Sequence, residues 1–393
     1  MVQIPGGQGQ VMMQRSAGAV RRVAPPLFVG SHFCRLPSFG RNHPLAIPRV
    51  ATVIDLCTSL GWLDGPSFRT APAASIEQLA TFHDPAYVEA LRDADAQGHV
   101  EPAVRERHNF GNFENPLFGG VFERAATAVG GSILAAELAL EGRAVFHPAG
   151  GTHHGRRQRA SGFCYFNDPV FAILTLLGNG CDRVLYVDLD AHHCDGVQDA
   201  FQDEDRVRLV SIHEAGRWPH TGLADDGSSN AINLPVPRDC NDTEFRSLMD
   251  GIVLPAAAAF APDSVVVTCG TDALAGDPLS RMALSNLALW DAVLALTSLG
   301  TPAVVLGGGG YNPWTLARCW TGLWGRLLGQ DIPQPLPPQA RLCLSGLHCD
   351  LVEDEAIRPE WLTTLADTPR EGPVRDEIRQ LVDRHAGRMH ELA

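Results

Sequence analysis

The sequence contains no lysine: all 31 of its basic residues are arginine. That bias points to genomic composition rather than to a mechanism. Positive charge is also short overall, and a net charge of −14 argues against a protein that grips a phosphate backbone, so no direct nucleic-acid partner is expected. Long apolar runs are missing. None approaches the roughly 18–20 residues of a membrane span, and no charged, apolar and small-residue segments line up as a signal peptide. No C-x-x-C pair occurs. The ten cysteines, at 34, 57, 164, 181, 194, 240, 269, 319, 343 and 349, mostly sit in apolar runs. They read as reduced thiols of a cytoplasmic protein, neither a disulfide framework nor a zinc ribbon. No internal repeat is evident.

What is present in quantity is core-forming material: 393 residues, enough for one large α/β domain or two ordinary ones. Residues 1–25 are the exception. They are rich in glycine and glutamine and lack acidic residues, so a disordered tail is expected, with a misassigned start or an organellar targeting segment as alternatives. Residues 26–393 are expected to form a single domain, with its chemistry in 27–330 and a C-terminal extension over 331–393.

The densest chemistry lies in residues 187–196, Val-Asp-Leu-Asp-Ala-His-His-Cys-Asp-Gly. Val184, Leu185 and Val187 form a short β-branched apolar run that reads as a buried parallel strand. It runs straight into Asp188, Asp190, His192, His193 and Asp195. In extended backbone, side chains at i, i+2 and i+4 share one face, so Asp188, Asp190 and His192 could converge. Crowded carboxylates at a buried strand end are tolerable only beside a cation or paired histidines. A solvated polar loop is the plainer alternative.

Further apolar runs at 144–146, 207–212, 264–269 and 302–306 alternate with helical patterns at 117–141, 167–178, 242–261, 285–299 and 313–328. A helix is also expected through about Leu60 after the His43–Arg49 loop, another opening at the capping sequence Ser75-Ile-Glu-Gln, and a last one over 374–392. Such alternation implies α/β architecture, a mainly parallel sheet with helices on both faces. Ligands gather beyond the C-terminal strand ends of such sheets. The polar clusters fall there: Gly150 to Gly155 with His153 and His154, Ala160 to Asp168, His213 with Arg217 to Gly222, Gly270 to Asp272, and Gly307 to Tyr311.

Five of these stretches carry a family resemblance. Gly-Gly-x-His-His, Ala-Ser-Gly-Phe-Cys-Tyr-x-Asn-Asp, Tyr-Val-Asp-Leu-Asp-x-His-His-x-Asp-Gly, Ala-Gly-Asp-Pro and Gly-Gly-Gly-Gly-Tyr-Asn stand in the order found in the histone deacetylase family. The sequence resembles that family, including its bacterial acetoin-utilisation-type members, over roughly residues 27–330. The resemblance implies the three-layer arginase/deacetylase fold and one zinc ion held by Asp190, His192 and Asp272. It implies two dyads, His153 with Asp188 and His154 with Asp195, and Tyr311 as donor to the oxyanion. Gly162, Phe163, Trp218, Leu279, Glu114 and Gly309 would contact substrate. Trp218 stands where many relatives carry Phe, and Glu114 where they carry an Asp at the rim. Asp188, Asp190, His192, Ser211 and Ile212 would frame a structural monovalent cation, potassium or sodium, and Arg49 would lie in a channel beneath the site. His193 reads as structural rather than as a fourth ligand.

The chemistry agrees with the residues themselves. Three N/O ligands leave one position open, as catalytic zinc requires. The expected reaction is hydrolysis of the acetyl amide of acetyl-lysine in proteins. A second candidate is an amidohydrolase for acetylpolyamines or other small acetylated amines. Polyamine-selective relatives carry an acidic gatekeeper where this sequence has Leu279, which favours lysine. An inactive acyl-lysine binder is disfavoured by the complete dyads. An arginase-like two-metal hydrolase would need a carboxylate at position 270, where glycine stands. The oligomeric state is left open.

Overall fold

The computed structural model describes residues 24–35, 39, 43–224 and 228–391. The tail expected over residues 1–25 falls almost wholly outside them. Eight strands form one sheet: β1 (Leu27–Gly30), β2 (Phe68–Thr70), β3 (Ala144–His147), β4 (Val184–Asp188), β5 (Val207–Glu214), β6 (Ala231–Val236), β7 (Ser264–Thr268) and β8 (Ala303–Leu306). Their order is β2-β1-β3-β8-β7-β4-β5-β6, and every pairing is parallel. A wholly parallel sheet needs cover on both faces.

The strand sequences supply two apolar faces by simple alternation. Val184 and Tyr186 of β4 enter one core, together with α2 (Val121–Ala139), α3 (Asp168–Gly178) and the short α4 (Asp195–Phe201). Leu185 and Val187 enter the other, which holds α1 (Arg49–Ser59), α5 (Asn286–Thr297) and α6 (Pro313–Leu327). All five residues of β4 are fully buried, so the strand reads as a continuous apolar run. Each fully buried Val or Leu side chain contributes about 1.5–3 kcal/mol, and that pins the register that carries Asp188.

Three strands are absent from the apolar rhythm of the sequence. β1 has four residues, β2 has three, and β6 contains Pro235. β2 and β6 are the two edges, where a proline costs no ladder hydrogen bond. The capping box at Ser75 and Gln78 is formed, but it opens a single helical turn, Ile76–Leu79. The helix expected over 242–261 is interrupted by a π-helical turn at Met249–Val253.

The C-terminal extension returns onto the second core. Arg318, with no exposed surface, donates to the Thr364 carbonyl at 2.6 Å and to Asp367 at 2.6 Å, and Arg375 pairs with Glu244. No helix among the described residues is long and apolar enough to cross a membrane. Because all strands run the same way, the loops after β3, β4, β5, β7 and β8 meet along one edge of the sheet.

Candidate active site

β4 stops at Asp188, and the chain leaves the extended conformation there. The shared face expected for residues 188, 190 and 192 therefore does not continue. Asp190 and His192 instead meet Asp272, from the 3-10 turn Thr271–Ala273 that follows β7. One donor atom from each of the three lies within 4.8 Å of the others, and all three residues are buried. His192 Nδ1 is 2.9 Å from Asp272 Oδ2 and 3.2 Å from Asp190 Oδ1. Backbone amides lock the carboxylates: Gly309 N–H donates to Asp190 Oδ2 at 2.6 Å and Ala191 N–H to Asp272 Oδ1 at 3.0 Å.

The electrostatics ask for positive charge. Burial alone would lower the His192 pKa, but Asp190 and Asp272 outweigh it and push it up to about 10. Burial also works to raise Asp190, yet His153 and His192 hold it well below the usual carboxylate range. Asp272 is raised, by burial and by the Asp190 charge beside it. Two carboxylates and one imidazole in a dry pocket fit a divalent cation of zinc type, with three protein ligands and room for more. They fit one such ion. A Cβ at Gly270 would lie 2.1 Å from Asp190 Oδ2, so no carboxylate-bearing residue could stand there without displacing that ligand. A Cβ at Gly309 would likewise lie 2.1 Å from Asp272 Oδ2.

Two histidine–carboxylate pairs flank the triad. His153 Nδ1 is 2.8 Å from Asp188 Oδ2, and His154 Nδ1 is 2.7 Å from Asp195 Oδ1. The two rings are 4.0 Å apart. Their surroundings drive them in opposite directions. Burial would lower His153, but Asp188 and then Asp190, 3.8 Å from its Nε2, push it up to about 9. Burial and the neighbouring His153 charge push His154 down to about 3, against the pull of Asp195. With its Nδ1 engaged by Asp195, His154 keeps Nε2 to accept a proton.

Tyr311 is 7% exposed, and its backbone N–H donates to Asp277 Oδ2 at 2.7 Å. Burial, with Asp272 and Asp190 nearby, raises its pKa well above the ordinary phenol value, so the hydroxyl stays a donor. Phe163 stacks edge-on against Tyr311 at 5.9 Å, and Trp218 against His154 at 4.6 Å. Gly162 and Phe163 both have positive φ, 54° and 68°, at the corner of a tight turn closed by reciprocal Ser161–Cys164 backbone bonds. A Cβ at Gly162 would lie 2.3 Å from the Trp218 ring, so glycine serves both the turn and the close approach.

Other expected residues fall into place differently. Glu114 turns its carboxylate inward, accepting from Gly162 N–H at 2.7 Å and Asn109 Nδ2 at 3.2 Å, so its oxygens brace the Phe163 turn. Leu279 is half-buried, its N–H bonded to Asp277. Ser211 lies opposite Asp188 in the β4–β5 ladder, with its hydroxyl 2.9 Å from His213 Nδ1, and Ile212 follows it, buried. His193 is occupied at both nitrogens, by Thr221 and Gln198, away from the triad. Arg49 is half-buried beneath the site, donating to the Gly308 carbonyl and stacking over Trp320 at 5.2 Å.

Sequence reasoning assigned no role to four supporting residues, two of which, Tyr186 and Asp277, stand inside the motifs quoted above. Arg156 pairs with the second oxygen of Asp195; Tyr186 donates its hydroxyl to Asp188; Asp277 holds the Tyr311 backbone; His83 braces the Arg156–Arg157 backbone. Two of them had a local signal: Tyr186 shares a strand face with Asp188, and Arg156 lies two residues after His154.

Comparison with known proteins extends this picture. The histone deacetylase domain model matches residues 43–327. Histone deacetylase 1 of Oryza sativa subsp. japonica is 36% identical over 344 residues, covering 85% of this chain and 65% of that protein. The chain therefore spans just under two thirds of that relative's length. The acetoin utilization protein AcuC of Bacillus subtilis is 34% identical over 330 residues, covering 80% of this chain and 84% of that one. The crystal structure of an HDAC homologue from Aquifex aeolicus superposes with a TM-score of 0.88 at 34% identity, covering 92% of this chain and all of that one.

Proposed function

The chain belongs to the histone deacetylase family, and from that premise we propose that it is a zinc-dependent hydrolase of the acetyl amide on lysine side chains of proteins. The observation that carries the reading is the pair of histidine–carboxylate hydrogen bonds, His153–Asp188 and His154–Asp195, beside a buried two-carboxylate, one-imidazole triad. Asp190, His192 and Asp272 would hold the zinc. When bound, zinc supplies a Lewis acid that polarises the acyl carbonyl and makes water more acidic.

The remaining work would fall to the protein's own groups. His154, neutral and oriented by Asp195, would accept the proton of the attacking water at Nε2. The water oxygen bonds to the acyl carbon, the C–N bond breaks, and His154 returns the proton to the departing lysine amine. His153, hydrogen-bonded to Asp188, would mainly stabilise the developing negative charge electrostatically. Tyr311 would donate to the oxyanion. Phe163 and Trp218 would flank the lysine methylenes, whose burial is worth about 0.8 kcal/mol each, and Leu279 offers nothing to a distal ammonium. A potassium or sodium ion against Asp188, Asp190, His192, Ser211 and Ile212 would brace the loop. All ten cysteines are unpaired thiols, which suits a reducing cytoplasm.

The test is a comparison of kcat/KM on acetyl-lysine peptides with that on N-acetylputrescine and N-acetylspermidine. Peptides are expected to be the better substrates, and Leu279→Glu is expected to move the ratio toward polyamines. A clear wild-type preference for acetylputrescine would overturn the protein-lysine reading while leaving the hydrolytic one. Hydrolysis of neither class would overturn both.

A further inference from the structure

Asn167 and Asp168 have no exposed surface, and neither belongs to the triad or to a histidine dyad. Their side chains nonetheless meet the loop that carries both dyad histidines, one at each of its ends. Asp168 takes the entry. Its carboxylate accepts from Gly151 N–H at 3.0 Å on one oxygen and from Thr152 N–H at 2.7 Å on the other. The grip is returned, because Asp168 N–H donates to the Thr152 hydroxyl at 3.2 Å. Asn167 takes the exit. Its Nδ2 donates to the His153 carbonyl at 3.2 Å and to the Gly155 carbonyl at 2.9 Å.

The anchor behind this clamp is itself fixed. Asn167 caps α3, accepting from Val170 N–H at 3.4 Å, and Asp168 is the first residue of that helix. Asn167 N–H donates to His83 Nε2 at 3.1 Å, and the Ser132 hydroxyl of α2 donates to Asp168 Oδ2 at 2.5 Å. Glycines let the loop close on the pair. A Cβ at Gly150 would lie 2.5 Å from Asp168 Oδ2, and one at Gly155 would lie 2.9 Å from the Asn167 backbone nitrogen. A buried carboxylate and carboxamide are tolerated only when their polar atoms are bonded. Here all of them are, and most of the bonds go to this one loop.

We propose that Asn167 and Asp168 are positioning residues: they hold the backbone of residues 151–155 so that the rings of His153 and His154 stand 4.0 Å apart beside the triad. The proposal rests on the roles given to those two histidines in the hydrolase reading above. Asp188 and Asp195 fix how each ring turns about its own bonds. The clamp fixes the backbone from which both rings hang. Displacing a reacting group by about 1 Å can cost about 10²-fold in rate.

The experiment uses the full, zinc-loaded chain and an acetyl-lysine peptide. Asn167→Asp puts an acceptor where two carbonyls need a donor, at the same size, and Asp168→Asn keeps one of the two acceptor oxygens. Each is expected to lower kcat about 10- to 100-fold while KM and zinc content stay within about 2-fold of wild type. Asp168→Asn should retain more activity than Asp168→Ala. Wild-type kcat in both variants, or a loss confined to KM, would overturn the clamp and leave the hydrolase reading intact. Failure of both variants to give folded, zinc-binding protein would mark the pair as a stability element and overturn the positioning role. A wild-type chain that hydrolyses no acyl amide would instead overturn the reading beneath it.

Discussion

Arg156 grips the carboxylate of Asp195 from the side opposite His154: one guanidinium nitrogen meets Oδ2, and the other donates to the Asp195 backbone carbonyl at 3.1 Å. Asp195 thus gives one oxygen to the imidazole and the other to arginine, and it cannot rotate without losing both. Arg156→Gln should lower kcat on the order of 10-fold with little change in KM, the usual cost of loosening a group that orients a reacting one. Arg156→Lys should recover part of the loss. In an Asp195→Asn background the Arg156 substitution should add almost nothing, because its effect runs through that carboxylate. Additive losses in the double variant would show that Arg156 acts elsewhere.

Tyr311 lies beside the triad with its hydroxyl held in the protonated form. Tyr311→Phe should leave metal content and substrate binding intact and reduce kcat about 10²–10³-fold, the typical consequence of removing one oxyanion donor. Turnover within a few-fold of wild type would remove Tyr311 from the mechanism.

Metal stoichiometry follows from Gly270. With no room for a second carboxylate beside Asp190, one zinc per chain is expected by elemental analysis. Asp190→Ala and Asp272→Ala should each lose metal and activity together. Two metals per active chain would contradict the one-ion site.

His83 gives a pH signature remote from the metal ligands. Its Nδ1–H donates to the Arg156 carbonyl at 3.1 Å, and its Nε2 accepts from Asn167 N–H at 3.1 Å, so the neutral ring is fully bonded. Burial pushes its pKa down to about 3, against about 6.5 for an unfolded histidine. Between those values the unfolded chain binds a proton that the folded chain does not. Stability from this group is complete above pH 6.5 and is lost as pH falls toward 3, by at most about 1.4 kcal/mol per pH unit. Denaturant unfolding at pH 7.5, 6.5, 5.5 and 4.5 should show a shallower acid loss in His83→Gln than in wild type. Parallel curves would rule the histidine out as a source.

Some of this protein was determined by the sequence alone. Val184, Leu185 and Val187 specify a buried strand by composition, and the residues after it supply two acids and an imidazole within a few positions, because a strand end and its loop are local events. The glycines of 307–310 are visible in the sequence, but what requires them is not: a Cβ at 308 or 309 would meet Asp190 or Asp272, one at 307 the Pro148 carbonyl, and one at 310 the Thr271 hydroxyl. Tertiary structure decided which groups meet. Asp188 and Asp190 are near neighbours in sequence, yet the turn after β4 sends one to His153 and the other to Asp272. That partition depends on Asp188 standing opposite both Ser211 and Thr268 in parallel ladders. It depends equally on Gly309, 119 residues away, donating to Asp190. The inward turn of Glu114 and the second grip on Asp195 were hidden for the same reason. A side chain's chemistry can be read from its type, but its partner is chosen by elements that converge only when the sheet is assembled.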